Sequence, residues 1–340
     1  MFPCIVTIVT HGQFGSRFAP KPLERKADVL RFDGIPSGPC MHAQSLDNTH
    51  DARALWPVMV LAHNEEKHIA ACLDSLFEAE PGRRFEIFVM ANGCTDGTET
   101  IVNEYARTHP GVHLVSIALG DKNNAWNVFV HEVVPRHVPD CDVYFFMDGD
   151  ARACTSALSE MAAGLRANPY AHAASALPAS GRSMRRDREE MLRDHGLVAN
   201  LYSLRGSFVA ELIRKKAKLP LKLEGDDGLL GALIKWDLNP RGPWDVNRIE
   251  PCANAGFTFQ SFPWSSPSHW RAYWRRMVRY GRRRYEFELL GKKLRAEGIA
   301  GLPTDITDLY PQSAGLKLRW AGVYTITNWV ALQEMRRFCK

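Results

Sequence analysis

The pattern of apolar positions changes character near residue 56. Before it, Pro20, Pro22, Gly34, Pro36, Gly38 and Pro39 interrupt the chain and no period is sustained, so residues 1–55 read as an irregular N-terminal extension. After it, short uninterrupted apolar runs alternate with stretches at helical spacing. Residues 57–62 (PVMVLA), 86–91 (EIFVMA), 112–117 and 143–147 (VYFFM) predict four strands. Between them, Ile69, Cys72, Leu73, Leu76 and Phe77 predict a helix over 67–77. Ile101, Val102 and Tyr105 predict a second over 98–106, and a third covers 124–134. Strands apolar on both faces and separated by helices imply a parallel sheet covered on two sides, an α/β architecture.

Beyond Ser156 the pattern weakens. Helices are expected at 157–165, 185–192, 229–234, 269–290 and 326–338, a strand at 171–176, and short strands with turns at 245–263. The expected organisation is an extension (1–55), a ligand-binding α/β half (56–155), a second half of the same domain (156–265) and a basic helical region (266–340).

In a parallel sheet the site lies beyond the carboxyl ends of the strands. Polar clusters stand at those ends: His63 to Glu66 after the first strand, Asn92 to Asp96 after the second, and Asp148, Gly149 and Asp150 after the fourth. Two carboxylates two residues apart suit a hard divalent cation such as Mg²⁺ or Mn²⁺, which could neutralise a diphosphate; a turn cap is the other reading. Glu224, Asp226 and Asp227 crowd three carboxylates into four positions before a helix. An N-cap accounts for one of them, and like charges so close favour a cation or a proton-transfer role. The turn NGCTDGT (92–98) offers helix amides to a base edge or phosphate, with Asp96 or Thr98 as the ordinary cap. Lys122 at a helix start opposes the helix dipole unless an anion offsets it.

Charge adds one feature. The chain is +5 overall, but residues 269–295 carry ten Arg or Lys against two Glu, a local +8, so the remainder is about −3. This segment has an apolar stripe (Trp270, Trp274, Met277, Val278, Tyr285) and an arginine face. It can serve a diphosphate, an anionic lipid surface or a nucleic acid, or be a solvated helix. The eight cysteines show no CxxC pair or zinc spacing and read as reduced thiols. No run of 18 apolar residues spans a bilayer, and the opening MFPCIVTIV is poor for a signal peptide, so a cytoplasmic protein is expected.

Taken in order, Asn64-Glu65-Glu66, NGCTDGT, Lys122 with Asn127, Asp148-Gly149-Asp150, Asp226-Asp227 and Arg276-x-x-Arg279-Tyr280 resemble the family 2 glycosyltransferases with the GT-A fold. The resemblance covers about 57–281. It implies an inverting, metal-dependent transferase that moves a sugar from a nucleotide diphosphate sugar, UDP-linked above all, to a saccharide or glycolipid hydroxyl in cell-surface glycan or polysaccharide synthesis. By the same resemblance Ala62, Asn64, Glu65, Asn92 and Asp96 line the nucleotide pocket. Asn92 stands where the family commonly has an aspartate meeting uracil. Lys122 lies near the diphosphate, Asp148 near ribose or sugar, and Asp150, helped by Asp148, binds Mn²⁺ or Mg²⁺. Asp227 matches the general base with Asp226 beside it. Arg276, Arg279 and Tyr280 match a QxxRW motif with Gln and Trp replaced, which fits a non-processive enzyme. Arg282, Arg283, Arg284, Lys292 and Lys293 lie past that motif, where peripheral contact with an anionic membrane at the inner face of the plasma membrane is expected, and nucleic acid is not an expected partner. A sugar-nucleotide nucleotidyltransferase would want a Gly-rich basic loop where this chain has HNEE, and a non-catalytic nucleotide- or anion-binding protein would have no use for Asp150 and Asp227.

Overall fold

The computed structural model describes residues 30–33, 55–259 and 267–338, with the side chains of 30–33, 267–270 and 272 outside the described set. In chain order the strands are β1 (Leu30–Asp33), β2 (Trp56–Ala62), β3 (Phe85–Asn92), β4 (Val112–Ile117), β5 (Val143–Asp148), β6 (Ala151–Ala153), β7 (Ala173–Pro178), β8 (Leu201–Arg205) and β9 (Ile249–Phe259). The helices are α1 (Ile69–Ala79), α2 (Thr98–Thr108), α3 (Lys122–Val128), α4 (Val134–His137), α5 (Ala157–Ala167), α6 (Met184–Asp194), α7 (Gly206–Arg214), α8 (Asp226–Lys235), α9 (Pro267–Glu297) and α10 (Thr325–Arg337).

Among the described residues the nine strands form one sheet in the order β1-β4-β3-β2-β5-β8-β7-β9-β6. Strands β4, β3, β2 and β5 run parallel, as their uninterrupted apolar runs require. Alternate residues face opposite sides: Val58, Val60 and Ala62 pack with α1 and α5 residues, whereas Met59 packs with Trp126, Phe129 and Tyr202 on the other face. Antiparallel β8 then extends the sheet beyond β5, with Val143 opposite Arg205.

The expected extension contributes β1, antiparallel to β4 with Leu30 opposite Ile117. Its four residues LRFD are too short for periodicity to register, and the open edge of β4 supplies their hydrogen bonds. The rest of the extension lies outside the described residues. The third helix is longer than expected. It starts at Lys122, opens into a π-helical turn at Phe129–Val133 and continues as α4 to His137. The expected short strands near 245–263 are instead one strand, β9, whose pairing with β7 shifts register between Ser175 and Leu177. Of the predicted stripe, Val278 and Tyr285 are buried, but Trp274 is exposed because the start of α9 projects past the core, and the Trp270 side chain lies outside the described set. Among the described residues no helix is long and apolar enough to cross a membrane, and five cysteines are free thiols.

Candidate active site

The tips of β2 and β3 are tied to each other by short-range bonds. Asn64 adopts a left-handed backbone (φ 58°) that asparagine tolerates, and its Oδ1 accepts from the Thr95 N–H at 2.8 Å. The Asp96 carboxylate accepts from the Glu66 N–H at 3.1 Å, the Thr98 N–H at 3.0 Å and the Thr98 hydroxyl at 2.5 Å. Asp96 therefore starts α2 and joins two loops. Asn92 is buried, its amide donating to the Ala62 carbonyl at 3.1 Å, while His63 donates Nδ1–H to the Asn92 carbonyl at 2.6 Å.

At the end of β5, Gly149 lies where a Cβ would come within 2.9 Å of the Leu61 carbonyl, and its N–H donates to that carbonyl at 2.7 Å. This close approach sets Asp148 and Asp150 beside the β2 tip. Negative charge accumulates there. Burial, then Asp150 and Asp148, push the Glu65 carboxyl up to about 7. Burial likewise raises Asp148 to about 6 although Lys122 opposes it.

Lys122 is the cation of this cluster. Its Nζ lies 3.1 Å from Asp148 Oδ1 and 3.4 Å from Asp226 Oδ2, so one ammonium joins the β5 tip to the start of α8. Burial works against that charge, yet Asp148 and Asp226 outweigh it and raise the lysine above its ordinary value. Asp121 caps α3 by accepting from the Asn124 N–H at 2.9 Å, which fixes where Lys122 emerges. Asn123 and Asn127 of the same helix donate to the carbonyls of Pro220 and Leu219, which places the chain entering α8. Leu61, Trp126 and Tyr202 line the cleft with these charges.

Asp227 has a different partner. Arg283 of α9 donates to its Oδ1 at 3.0 Å, and the Gly228 N–H donates to the same oxygen at 2.8 Å. Both donors fall on Oδ1, leaving Oδ2 as the oxygen available to a proton. Burial raises the Asp227 pKa and Arg283 pulls it back. The guanidinium fits because positions 225 and 228 are glycines: a Cβ at 228 would lie 2.6 Å from Arg283 Nη2, and Gly225 has φ 89°.

The structure thus brings together Glu65, Lys122, Asp148, Asp150, Asp226 and Asp227. It leaves Arg276, Arg279 and Tyr280 on the exposed part of α9, where Arg276 donates Nε–H to the Tyr280 hydroxyl at 2.7 Å. Among the described residues the arginine that reaches a carboxylate of this cluster is Arg283, one turn further on. Sequence reasoning missed that assignment, and also Glu286, which is fully buried and accepts from the Tyr310 hydroxyl at 2.6 Å and the Glu224 N–H at 3.3 Å. The signal available was spacing: positions 276, 279, 283 and 286 share one helical face, and Gly225 and Gly228 open a slot on the facing element.

Among the described residues no group of three or more His, Cys, Asp or Glu forms a ready-made metal site. A Mg²⁺- or Mn²⁺-type ion bound by one or two carboxylates and substrate phosphates needs no such group. Asp148 and Asp150, whose charges add to burial in raising Glu65 to about 7, fit that donor chemistry.

The profile of Glycosyl transferase family 2 matches residues 58–220. No curated protein sequence matches the chain. Among solved structures, mannosyltransferase PcManGT from Pyrobaculum calidifontis, in complex with GDP-Man and Mn²⁺, is similar with TM-score 0.51 and 19% identity, over 87% of this chain and 86% of that one. At that identity the likeness is one of fold. S. aureus TarS 1-349 in complex with UDP-GlcNAc aligns with TM-score 0.47 and 17% identity, over 84% and 81% of the two chains. Glucosyl-3-phosphoglycerate synthase from Mycobacterium tuberculosis, in complex with phosphoglyceric acid, gives 0.44 and 16%, over 68% and 80%. The sheet, the order of its strand-tip motifs and the matching profile agree: residues 58–220 match glycosyl transferase family 2, the family those motifs resemble.

Proposed function

We propose that the chain transfers a sugar from a nucleotide diphosphate sugar to a hydroxyl acceptor in one displacement with inversion. The observation that carries the reading is the pair of carboxylate and cation sets where the end of β5 meets the start of α8, Asp148 and Asp226 about Lys122, and Asp227 against Arg283. A sugar hydroxyl is barely acidic, so attack needs a base. Asp227 Oδ2 takes the acceptor proton as the acceptor oxygen bonds to the anomeric carbon, and the electron pair of the breaking bond leaves with the diphosphate. Arg283 offsets the burial that raises Asp227 and fixes its plane, acting as a positioning residue. Lys122 supplies positive charge beside the departing group. Asp150 and Asp148 would hold Mn²⁺ or Mg²⁺, which neutralises diphosphate charge when bound. Glu65 and Asn92 belong to the nucleotide side, and Arg276, Arg279 and Tyr280 to the rim, reaching a bound donor only if α9 shifts or the donor extends toward them.

The acceptor in this reading is a saccharide or glycolipid of a cell-surface glycan. The similar PcManGT is in complex with GDP-Man and TarS with UDP-GlcNAc, so both bases belong in the test. Release of nucleoside diphosphate is to be measured across UDP-, GDP- and TDP-sugars with Mn²⁺. One donor class should be turned over, and Asp227→Asn should lower turnover by roughly 10²-fold or more while keeping donor affinity. Turnover that survives Asp227→Asn unchanged would remove the assignment of the base.

A further inference from the structure

The arginines and lysines past the motif are largely committed within the chain. Arg282 donates to Glu334 at 2.6 Å, Arg283 to Asp227 at 3.0 Å, Lys292 to Glu288 at 3.1 Å and Lys293 to Glu297 at 2.8 Å. A different surface of the same region is exposed, apolar and basic together. Trp320 is 86% exposed, Val323 81%, Ile326 60% and Trp329 49%. They occupy the segment before α10 and its first turns, and Trp274 on the projecting start of α9 is 47% exposed. The two elements meet here, since Tyr273 and Tyr324 hydrogen-bond to each other. Behind them, a Cβ at Gly281 would lie 3.1 Å from Asn328 Oδ1 and 3.3 Å from the Ala331 Cβ, so α9 and α10 pack closely.

The exposure is built into the backbone. The Arg319 N–H donates to the Tyr285 hydroxyl at 3.0 Å and Asn328 donates to the Arg319 carbonyl at 3.0 Å. Arg336 holds the Leu316 carbonyl at 2.9 Å, and the Ala321 N–H donates to Thr325 Oγ1 at 2.9 Å. The segment is anchored on both sides of Trp320 while the indole points away from the core. A polar residue at these positions would remove a solvation cost that the chain instead retains.

Charge decides the occupant. Residues 267–281 contain Arg271, Arg275, Arg276 and Arg279 and no acid, and Lys317 and Arg319 stand on the chain just before Trp320, with Arg319 also 3.5 Å from Glu288. Aliphatic side chains stand among the aromatic ones, which suits acyl chains; a nucleic-acid platform stacks bases on aromatic rings alone. Tryptophan and tyrosine at the rim of a basic surface match the headgroup level of a bilayer, where each cation adds attraction to anionic lipid. We infer that the Trp320 segment, the first turns of α10 and the start of α9 form one face that docks on an anionic membrane surface. The same helix α9 carries Arg283, ten residues or about 15 Å along its axis from Tyr273, so docking holds the cleft close to the lipid surface without entering it.

Flotation with vesicles of phosphatidylcholine alone and of equimolar phosphatidylcholine and phosphatidylglycerol tests this. The full chain should float with the anionic vesicles at low salt, release as salt rises, and stay with neither at high salt. Trp320→Ser, Val323→Ser and Ile326→Ser combined should lower partitioning at least about tenfold, given the apolar area removed from the interface. Arg271→Glu with Arg275→Glu should erase the preference for anionic lipid. All five positions are exposed, so thermal melts should match the parent, and nucleoside diphosphate release from a soluble donor should persist in both variants, separating this inference from the proposed transfer chemistry. Absence of parent flotation at low salt overturns it. So does a dimer in light scattering that the serine variant dissolves, which assigns the face to a second copy, or binding to single-stranded oligonucleotide without binding to vesicles.

Discussion

The two walls of the cleft are held by different physics. On the sheet side, the tips of β2 and β3 bond to each other through Asn64 with Thr95, Glu66 with Gly97 and Asp96 with Glu66, partners about thirty residues apart in adjacent strands. Once strand register is set, these contacts follow. On the helix side, Arg283 meets Asp227 across 56 residues, and Glu286 meets the Glu224 N–H across 62. Nothing local requires either contact; both depend on α9 packing over the start of α8. The electrostatics differ in step. On the sheet side burial raises Glu65 to about 7 and Asp148 to about 6, with neighbouring carboxylates adding to both, whereas the helix side supplies one arginine to one carboxylate. One wall holds an ammonium between two carboxylates, the other fixes a single carboxylate against one arginine.

The largest effect should come from the carboxylate on the helix side. Asp227→Asn is expected to lower turnover by roughly 10²-fold or more with nucleotide affinity nearly unchanged, the scale of a lost general base. Asp226→Asn should cost less in turnover, because Asp226 faces Lys122 and not Arg283. Single-turnover kinetics beside calorimetric nucleotide binding would reverse the assignment if Asp226→Asn were the more damaging.

Next is the buried carboxyl behind that wall. Burial lifts Glu286 from 4.5 to about 6, against the Tyr310 hydrogen bond. A carboxyl whose pKa is raised on folding binds more protons in the native state, so its contribution to stability falls as pH rises from 4.5 to 6 and stays reduced above. The difference corresponds to about 2 kcal/mol at most. Denaturant melts across that window should show a slope in the parent, shared with Glu65 and Asp148, that Glu286→Gln makes shallower; equal slopes in both would place the protonation elsewhere.

A smaller effect is expected at Arg283. Arg283→Ala should reduce turnover roughly tenfold and move the acidic limb of the pH profile upward, since the cation that opposes the effect of burial on Asp227 is gone. Arg283→Lys should recover part of both. A turnover loss with an unmoved pH limb would mean that Arg283 only supports the packing of α9.

The smallest should be on the sheet side. Lys122→Met is expected to weaken binding of UDP without metal about threefold, and to enlarge the gain from Mn²⁺ because Asp148 and Asp226 lose their ammonium. Equal binding with and without chelator in both proteins would discard metal and lysine together.

What was legible in the chain followed from local rules. Uninterrupted apolar runs such as VYFFM gave a parallel sheet, and polar clusters after them gave its site, because a buried strand must surface at its end. Strand β8 was not legible: LYSLR is five residues with Ser203 fully buried, and it becomes a strand because β5 and β7 flank it on both sides. Helix α7 begins at Gly206, a residue that locally reads as a turn.

The candidate site divides the same way. By itself, the sequence determined the carboxylates, the lysine and the order in which they occur, since each sits next to a strand end or helix start that local pattern predicts. Only the tertiary structure decided which cation serves which carboxylate. Eight arginines in one helix are equivalent by composition, and the one that reaches Asp227 is chosen by helix phase and by the glycines at 225 and 228 that leave room for a guanidinium.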